Sequence, residues 1–220
     1  LVKYPEANWM QKRMAYASDR LAALGGEKLP GYNRAREALY RSQCNCAYWH
    51  GVFGGLYLHH LRTAVYKNII DAENIMNDSA ALKDQVRTET ADIDKDSMDE
   101  VVLSNGLLTA FIDPREGGSM LELDYAPGSL NLINTLARRP EAYHRKISGI
   151  ESTGPKKVEN GVASIHDLLA AKDKDLKRLL NYDRHMKSCL IDHFLAPEAN
   201  FEDFSRAAFA EAGDFVGARY

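Results

Sequence analysis

Side chains capable of binding chemistry are concentrated in one short stretch, Gln43–Gly55, which reads QCNCAYWHGVFGG. Gln43, Asn45 and His50 offer hydrogen-bonding groups, and Trp49 offers a large aromatic ring. Ligand sites combine apolar walls with a few placed polar groups. An indole suits the flat C–H face of a sugar, while amides and imidazole suit its hydroxyls. The stretch therefore predicts a site for a polyhydroxylated ligand.

The same stretch also fits a purely structural interpretation. Gly51, Gly54 and Gly55 lie within five positions of one another, and glycine permits tight turns and close backbone contacts. A helix–helix corner would use these glycines to turn the chain. Tyr48 and Trp49 would then fill the gap, since aromatic side chains are usually buried. Both interpretations stay open at this point.

Three amphipathic helices joined by short connections are predicted around this stretch. The first begins near Pro5 and stops before Gly25, the second runs from about Arg34 into the stretch, and the third covers about Leu56 to Asn77. Their apolar residues recur at the three- and four-residue spacings of a helix face. We expect a small antiparallel bundle.

The segment Lys83–Glu100 differs in composition, with seven acidic and three basic residues. Within it, Asp92–Asp96 has aspartates at alternate positions, as at the start of an EF-hand calcium loop. That loop needs Gly at position 6 and Glu at position 12, where this chain has Ser97 and Leu103. A solvated turn is the favoured interpretation and a weak surface Ca²⁺ site is the alternative. No metal-binding residue is predicted.

Beyond this segment the pattern changes to short runs of strand-forming residues separated by turns. The clearest are Val101–Leu103, Leu107–Asp113 and Met120–Tyr125. Weaker strand candidates are Asn131–Ile133, the vicinity of His166, Cys189–Leu195 and Phe215–Tyr220. One further segment, Asn200–Ala210, is predicted to be a short helix. We expect an α+β fold with three parts: a helical bundle (1–82), an acidic linker (83–99) and a partial antiparallel β-sandwich (100–220).

Acidic residues in the β region are predicted to be structural. Asp113, Glu116 and Asp124 lie within one hairpin, where carboxylates are usually solvated turn residues rather than a catalytic pair. Asp192 and His193 are neighbours, and adjacent strand residues face opposite sides of a sheet.

Bulk properties exclude several classes of protein. The net charge of −3 provides no basic surface for nucleic acid. No apolar run approaches the ~20 residues that cross a bilayer, and no signal peptide is recognisable. Cys44 and Cys46 are too close for an ordinary structural disulfide and Cys189 is distant, which predicts free thiols and a cytoplasmic location. The first residue is Leu1, so we expect an internal piece or a processed product.

Several segments together resemble glycoside hydrolase family 57, the α-amylases and 4-α-glucanotransferases. Gln43–Gly55 resembles the fifth conserved region of that family. Further segments resemble the family in its own order: Tyr4–Met14 (YPEANWMQKRM), Gly54–Arg62 (GGLYLHHLR), Arg138–His144 (RRPEAYH), Ser164–Asp167 (SIHD) and Ser188–Leu195 (SCLIDHFL). Family members carry a (β/α)7 barrel, then a helical bundle, then a β-sandwich. The resemblance implies that this chain is the bundle and much of the sandwich, with the barrel absent from it.

The resemblance implies a retaining reaction on α-1,4-glucans, which needs two carboxylic residues about 5–5.5 Å apart. In the family both come from the barrel, so no catalytic residue and no cofactor are predicted here. This chain would line the cleft, with Trp49 as a stacking platform and His50, Asn45 and Gln43 as hydrogen-bond partners. Many relatives carry Asp where this chain has Cys46, whose thiol cannot supply charge-assisted hydrogen bonds.

The predicted function is therefore an accessory part of a glucan-active retaining hydrolase or transglycosylase, lining the cleft through residues 43–55. Its partners would be an α-glucan or maltooligosaccharide and the upstream barrel of the same parent chain. On its own the chain is expected to be inactive, and open sheet edges would invite self-association. The alternative is a stand-alone carbohydrate-binding or structural module without chemistry.

Overall fold

The computed structural model describes residues 3–51, 53–145, 179–214 and 216. The chain divides into two compact units. The first consists of Leu1–Leu136, Met186–Phe194 and Glu211–Tyr220, and the second of Ala137–His185 and Leu195–Ala210. The domain boundaries at residues 82 and 99 stay predictions.

The three predicted helices are present as α1 (Pro5–Ala23), α2 (Tyr32–Ser42) and α3 (His59–Ser79). Proline suits the first turn of α1, where its missing N–H costs no hydrogen bond. After α1 the chain turns through Gly25, whose φ of 112° lies in the left-handed region. None of the described helices is long and apolar enough to cross a membrane.

The prediction that α2 continues into the 43–55 stretch is wrong, because the helix ends at Ser42. The Ser42 hydroxyl donates a hydrogen bond to the Leu39 carbonyl oxygen at 2.6 Å. The Tyr48 hydroxyl donates to the Ser42 carbonyl oxygen at 2.7 Å. These bonds satisfy groups that a helix leaves open at its end.

After this break the chain forms a short 3₁₀ turn, Asn45–Tyr48, and then becomes extended at Trp49, with φ −150° and ψ 164°. Asn45, Cys46 and Trp49 therefore do not share a helical face.

Five antiparallel strands form one open sheet in chain order, β1-β2-β3-β4-β5. They are β1 (Arg87–Ala91), β2 (Glu100–Ser104), β3 (Leu108–Asp113), β4 (Ser119–Tyr125) and β5 (Leu130–Asn131). The α+β class is confirmed, with this open sheet as the β part among the described residues. The predictions for β2, β3 and β4 are confirmed, whereas β1 lies inside the predicted linker and was missed.

The remaining predicted elements had mixed outcomes. Cys189–Leu195 is not a strand, and Cys189 forms only an isolated bridge to Met120 through backbone bonds of 2.8 and 2.9 Å. The short helix is confirmed as α4 (Phe201–Ser205). The strand candidate near His166 lies outside the described residues, as does Phe215–Tyr220 apart from residue 216.

The core of the first unit lies between the helices and the sheet. Met10 of α1, Ile69 of α3 and Phe111 of β3 are almost completely buried. The Trp9 ring packs edge-on against Phe111, with centroids 6.1 Å apart. Because α1 and α3 cover this face of the sheet, they fix the position of the loop that connects α2 to α3.

A charged group is also buried at this junction. It consists of Arg13 from α1, Glu73 from α3, and Glu122 and Asp124 from β4, and we call it the Arg13 cluster. The Arg13 guanidinium forms ion pairs of 3.0 Å with both Glu73 and Glu122. The cluster ties both helices to the same strand.

The second unit contains the family-like segment Arg138–His144. The Arg138 guanidinium and backbone N–H donate to the Asp183 carboxylate at 2.6 to 3.1 Å. The His144 ring stacks on Tyr182 with centroids 5.7 Å apart. These contacts hold the segment against residues about 40 positions later in the chain.

Candidate functional site

The 43–55 stretch is a loop between α2 and α3 with an unusually accessible set of side chains. Gln43, Asn45 and Cys46 are exposed, and the Trp49 residue is 50% exposed. His50 is half-buried. All five predicted site residues thus lie on one surface loop, and their assignment as a binding site stays a prediction.

The glycines of the stretch serve the packing of the loop itself. A Cβ atom at Gly51 would lie 2.6 Å from two atoms of the Trp49 ring. A Cβ at Gly55, where φ is +49°, would collide with the Trp49 carbonyl oxygen. These glycines therefore make room for Trp49 and for the turn.

His50 is held in place by one hydrogen bond and two aromatic neighbours. Its Nδ1 donates to the Gly54 carbonyl oxygen at 3.2 Å. Its ring packs edge-on against Tyr57 with centroids 4.8 Å apart, and Tyr4, just before α1, lies 6.5 Å away. The loop is thereby anchored to the start of α1.

The polar side chains of the loop differ in how firmly they are held. The Gln43 amide nitrogen lies 3.8 Å from the Met14 sulfur, which is a weak contact. Burial raises the pKa of the Tyr48 hydroxyl, so it stays a hydrogen-bond donor to Ser42. Asn45 and Cys46 are exposed on the 3₁₀ turn, which leaves their side chains accessible to a ligand.

Sequence reasoning missed one further residue of this surface. Phe53 is 86% exposed and lies four positions after Trp49. The sequence shows this large aromatic residue between two glycines, but no periodic pattern indicates that it is exposed. Trp49 and Phe53 are thus two exposed aromatic side chains on the same loop.

The described carboxylates of the β hairpin do not form a catalytic pair. Asp113 caps the turn after β3 by accepting from the N–H groups of Arg115 and Glu116 at 2.8 and 3.4 Å. Glu116 is exposed, whereas Asp124 is sealed inside the Arg13 cluster. The three side chains therefore do not face one common space. The expectation of solvated turn residues is wrong for Asp113 and Asp124, which are buried, and holds for Glu116.

His193 has a structural contact of its own. Its Nδ1 lies 2.6 Å from a Glu211 carboxylate oxygen, and the other oxygen of Glu211 accepts from the Phe194 N–H. This contact agrees with the structural role predicted for the Asp192–His193 pair.

The segment Asp92–Glu100, called the acidic turn below, places the carboxylate oxygens of Asp92, Asp94 and Glu100 within 4.8 Å of one another. Asp92 accepts from the backbone N–H groups of Asp96 and Ser97 at 3.0 and 3.1 Å. Glu100 accepts from two more backbone N–H groups. Such hydrogen bonds are typical of side chains that cap a turn. They agree with the turn that the sequence analysis favoured for this segment.

Profiles of known families match most of the chain. Residues 1–76 match the middle domain of the "Alpha-amylase/4-alpha-glucanotransferase" family, and residues 92–220 match its C-terminal domain. The chain therefore belongs to the α-amylase/4-α-glucanotransferase family, glycoside hydrolase family 57, and consists of middle- and C-terminal-domain sequence.

Individual relatives agree with this assignment. The chain is 39% identical to a 4-alpha-glucanotransferase of Thermococcus kodakarensis over 99% of its length, and 38% identical to alpha-amylase 1 of Dictyoglomus thermophilum over 92%. It also resembles the crystal structure of 4-alpha-glucanotransferase from Thermococcus litoralis, with a TM-score of 0.75, 33% identity and full coverage of this chain. The match covers 30%, 28% and 28% of those relatives, so the chain spans less than a third of their length.

Proposed function

We propose that this chain is an accessory part of a longer, α-1,4-glucan-active retaining enzyme, and that residues 43–55 line its substrate cleft. In this proposal the Trp49 ring is the stacking platform for a sugar. Four residues of the same stretch supply polar groups: Gln43, Asn45, Cys46 and His50. These groups bind sugar hydroxyls or position the catalytic carboxylates.

The half-exposed Trp49 ring is the observation that carries the proposal. Its indole lies against Gly51, and the residue is 50% exposed. A tryptophan side chain offers a large contact area with few rotatable bonds, so stacking a sugar on it costs little conformational entropy. The relatives' names, glucanotransferase and amylase, indicate an α-glucan as the ligand.

The loop geometry also gives support to the alternative of a structural corner. Gly51 and Gly55 are both explained by contacts with Trp49 itself. If Trp49 only fills a corner, its removal should destabilise the loop without changing ligand affinity. Stability and affinity therefore separate the two interpretations.

The test compares two variants of the full-length protein that carries this chain. Trp49→Ala removes the platform, and Tyr40→Ala is a matched control because Tyr40 is an exposed aromatic on α2 outside the stretch. Calorimetry measures maltoheptaose affinity, and a thermal melt measures stability.

We expect Trp49→Ala to weaken binding about two- to tenfold, since stacking contributes about 0.5–1.5 kcal/mol beyond buried area, while Tyr40→Ala binds normally. A Trp49→Ala protein that melts far lower but whose folded fraction binds normally would support the corner instead.

We also propose that the reacting carboxylates lie outside this chain. Retention needs two carboxylic groups about 5–5.5 Å apart on one accessible surface. Of the described hairpin carboxylates, Asp113 caps a turn and Asp124 is buried. The purified chain should release no reducing sugar from amylose above a mock preparation, whereas the full-length protein should. Release by the chain itself would contradict the proposal.

The edges of the sheet suggest a further contact. Among the described residues β1 and β5 are the edge strands, and open edges pair readily with other strands. We infer that the isolated chain self-associates through them or pairs with more of the full-length protein. Light scattering should show oligomers of the isolated chain, and a strictly monomeric chain would count against this inference.

A further inference from the structure

The Arg13 cluster contains more carboxyl groups than cations that contact them. Arg13 and Arg20 both bind Glu73, at 3.0 and 3.2 Å, and Arg13 also binds Glu122 at 3.0 Å. Asp124 is the third carboxyl group. If all three were ionised, they would outnumber the two contacting cations, Arg13 and Arg20, by one negative charge inside the protein.

Glu73 and Glu122 are both well supplied with donors. Glu73 accepts from Arg13 through both of its oxygens and from Arg20 through one. Glu122 accepts from Arg13 Nε at 3.0 Å and from Trp9 Nε1 at 2.6 Å. Burial alone would raise the pKa of Glu73, but the charges and hydrogen bonds of Arg13 and Arg20 outweigh it and lower that pKa.

Asp124 is placed very differently. Its residue is 3% exposed, and neither carboxyl oxygen has a hydrogen-bond donor among the described residues. Its nearest cation is Arg13, at 3.5 Å from Nη2. An ionised carboxylate buried without donors is costly, and such groups take up a proton instead. A protonated Asp124 can donate to its ionised neighbour, Glu122.

We propose that Asp124 and Glu122 share one proton, with neutral Asp124 as the donor, and that loss of this proton at higher pH loosens the attachment of α1 and α3 to the sheet. The pair thus acts as a pH-sensitive contact at the junction that anchors the helices beside the 43–55 stretch. This inference does not depend on the proposed function.

The surroundings of Asp124 are consistent with this assignment. Burial and the charge of Glu122 raise the pKa of Asp124, and Arg13 only partly opposes them. The pKa of the nearby Tyr66 hydroxyl on α3 is also raised by burial, so it stays neutral. The other charged or titratable groups facing the pair are Tyr16 and Arg20 of α1, Glu73 of α3, and Arg87 and Glu89 of β1.

A small cavity adjoins Asp124. It has a volume of about 30 Å³, and its lining includes Asp124, Arg87 and Thr109. About 10–15 Å³ of such volume is enough to hold one water molecule, so there is room for water beside the Asp124 carboxyl group.

The direction of the pH effect follows from linkage. The native state holds the Asp124 proton to higher pH than the unfolded state, in which an aspartate has a pKa of about 3.9. The native state then binds more protons, so stability falls as pH rises from about 4 to the native pKa of Asp124. Asp124→Asn cannot ionise and should lack this dependence.

The experiment measures amide hydrogen exchange of peptides from α1 in the full-length protein between pH 4 and 9, corrected for intrinsic exchange rates. In the native protein the opening constant of α1 should rise with pH by up to about tenfold per unit over the titration range. Asp124→Asn should show a clearly smaller rise, which leaves only the contribution of other groups such as Glu100. Asp19→Asn, an exposed change on the same helix, should behave like the native protein.

Two results would overturn the proposal. One is an Asp124→Asn protein whose α1 opens with the native pH dependence. The other can be obtained even if that variant does not fold. It is the pH titration of the ¹³C carboxyl resonance of Asp124 in the native protein, which should lie well above the ordinary aspartate range. A resonance that titrates with the ordinary aspartate pKa of about 3.9 would contradict the shared proton.

Discussion

Glu100 makes stability at the acidic turn dependent on pH. It is the first residue of β2 and is 1% exposed. Burial raises the pKa of its carboxyl group to about 7, with a further contribution from the charges of Asp94 and Asp113. The backbone N–H groups of Ile93 and Asp94, at 2.7 and 3.3 Å, act in the opposite direction.

The size of the effect follows from this shift. The pKa rises from 4.5 to about 7, and one unit corresponds to about 1.36 kcal/mol, which gives an upper bound of about 3 kcal/mol. The native state keeps its proton to higher pH than the unfolded state. Stability from this group is therefore full below pH 4.5 and is lost as pH rises towards 7.

Replacing Glu100 by Gln removes the ionisation but keeps an oxygen that accepts the two backbone N–H groups. We expect Glu100→Gln to be more stable than the native chain above pH 7, by up to about 3 kcal/mol, with the difference shrinking below pH 5. Urea unfolding at several pH values measures this. A chelator is included because a bound cation would keep the carboxylate ionised.

Glu27→Gln, an exposed change far from the acidic turn, is the matched control and should follow the native protein at every pH. Parallel pH profiles for Glu100→Gln and the native chain would refute the reasoning.

Three further outcomes are expected. Arg13→Met should cost about 3–5 kcal/mol in urea unfolding, because it leaves the buried carboxylates of its cluster without their central cation; an unchanged midpoint would contradict this. Gly55→Ala should cost more than about 1 kcal/mol and shift the emission of Trp49, because φ is positive and the added Cβ would meet the Trp49 carbonyl oxygen; a native-like melt and spectrum would argue against that packing. The melting temperature should be the same in millimolar Ca²⁺ as in the presence of a chelator, because backbone N–H groups already occupy the carboxylates of the acidic turn. A clear rise of the melting temperature in Ca²⁺ would indicate a bound ion.

The helices and central strands could be predicted because their patterns are local. In α1 the residues Met10, Met14, Ala17 and Leu21 recur at spacings of four, three and four. All of them are buried except Met14, which is partly buried. β1 was missed because its sequence, RTETA, is largely exposed and carries no apolar face. The end of α2 was missed because the hydrogen bonds that Ser42 and Tyr48 make there have no periodic signal in the sequence.

The Arg13 cluster could not be predicted for a different reason. In β4, SMLELDY, the apolar residues Leu121 and Leu123 alternate with Glu122 and Asp124. Such a pattern predicts that the leucines face the core and the acidic residues face solvent. Here the acids are buried and the leucines are only partly buried. The cause is Arg13, which lies 109 residues earlier in the chain than its partner Glu122. A pairing over that distance is invisible to local pattern reasoning.

The candidate site was located by residue type, and only its geometry needed the structure. An aromatic and several amides among glycines marked the 43–55 stretch in the sequence. The exposure of Trp49 and its packing on Gly51 depend on where α2 ends, which the sequence did not indicate.

The central claim, that the 43–55 stretch contacts the glucan, is tested most directly by thiol protection in the full-length protein. Cys46 lies in the stretch and Cys189 lies elsewhere, and both are exposed. Their alkylation by iodoacetamide is followed by peptide mass spectrometry with and without saturating maltoheptaose. We predict that maltoheptaose slows alkylation of Cys46 and leaves Cys189 unchanged. Equal rates at Cys46 with and without the sugar would contradict the claim.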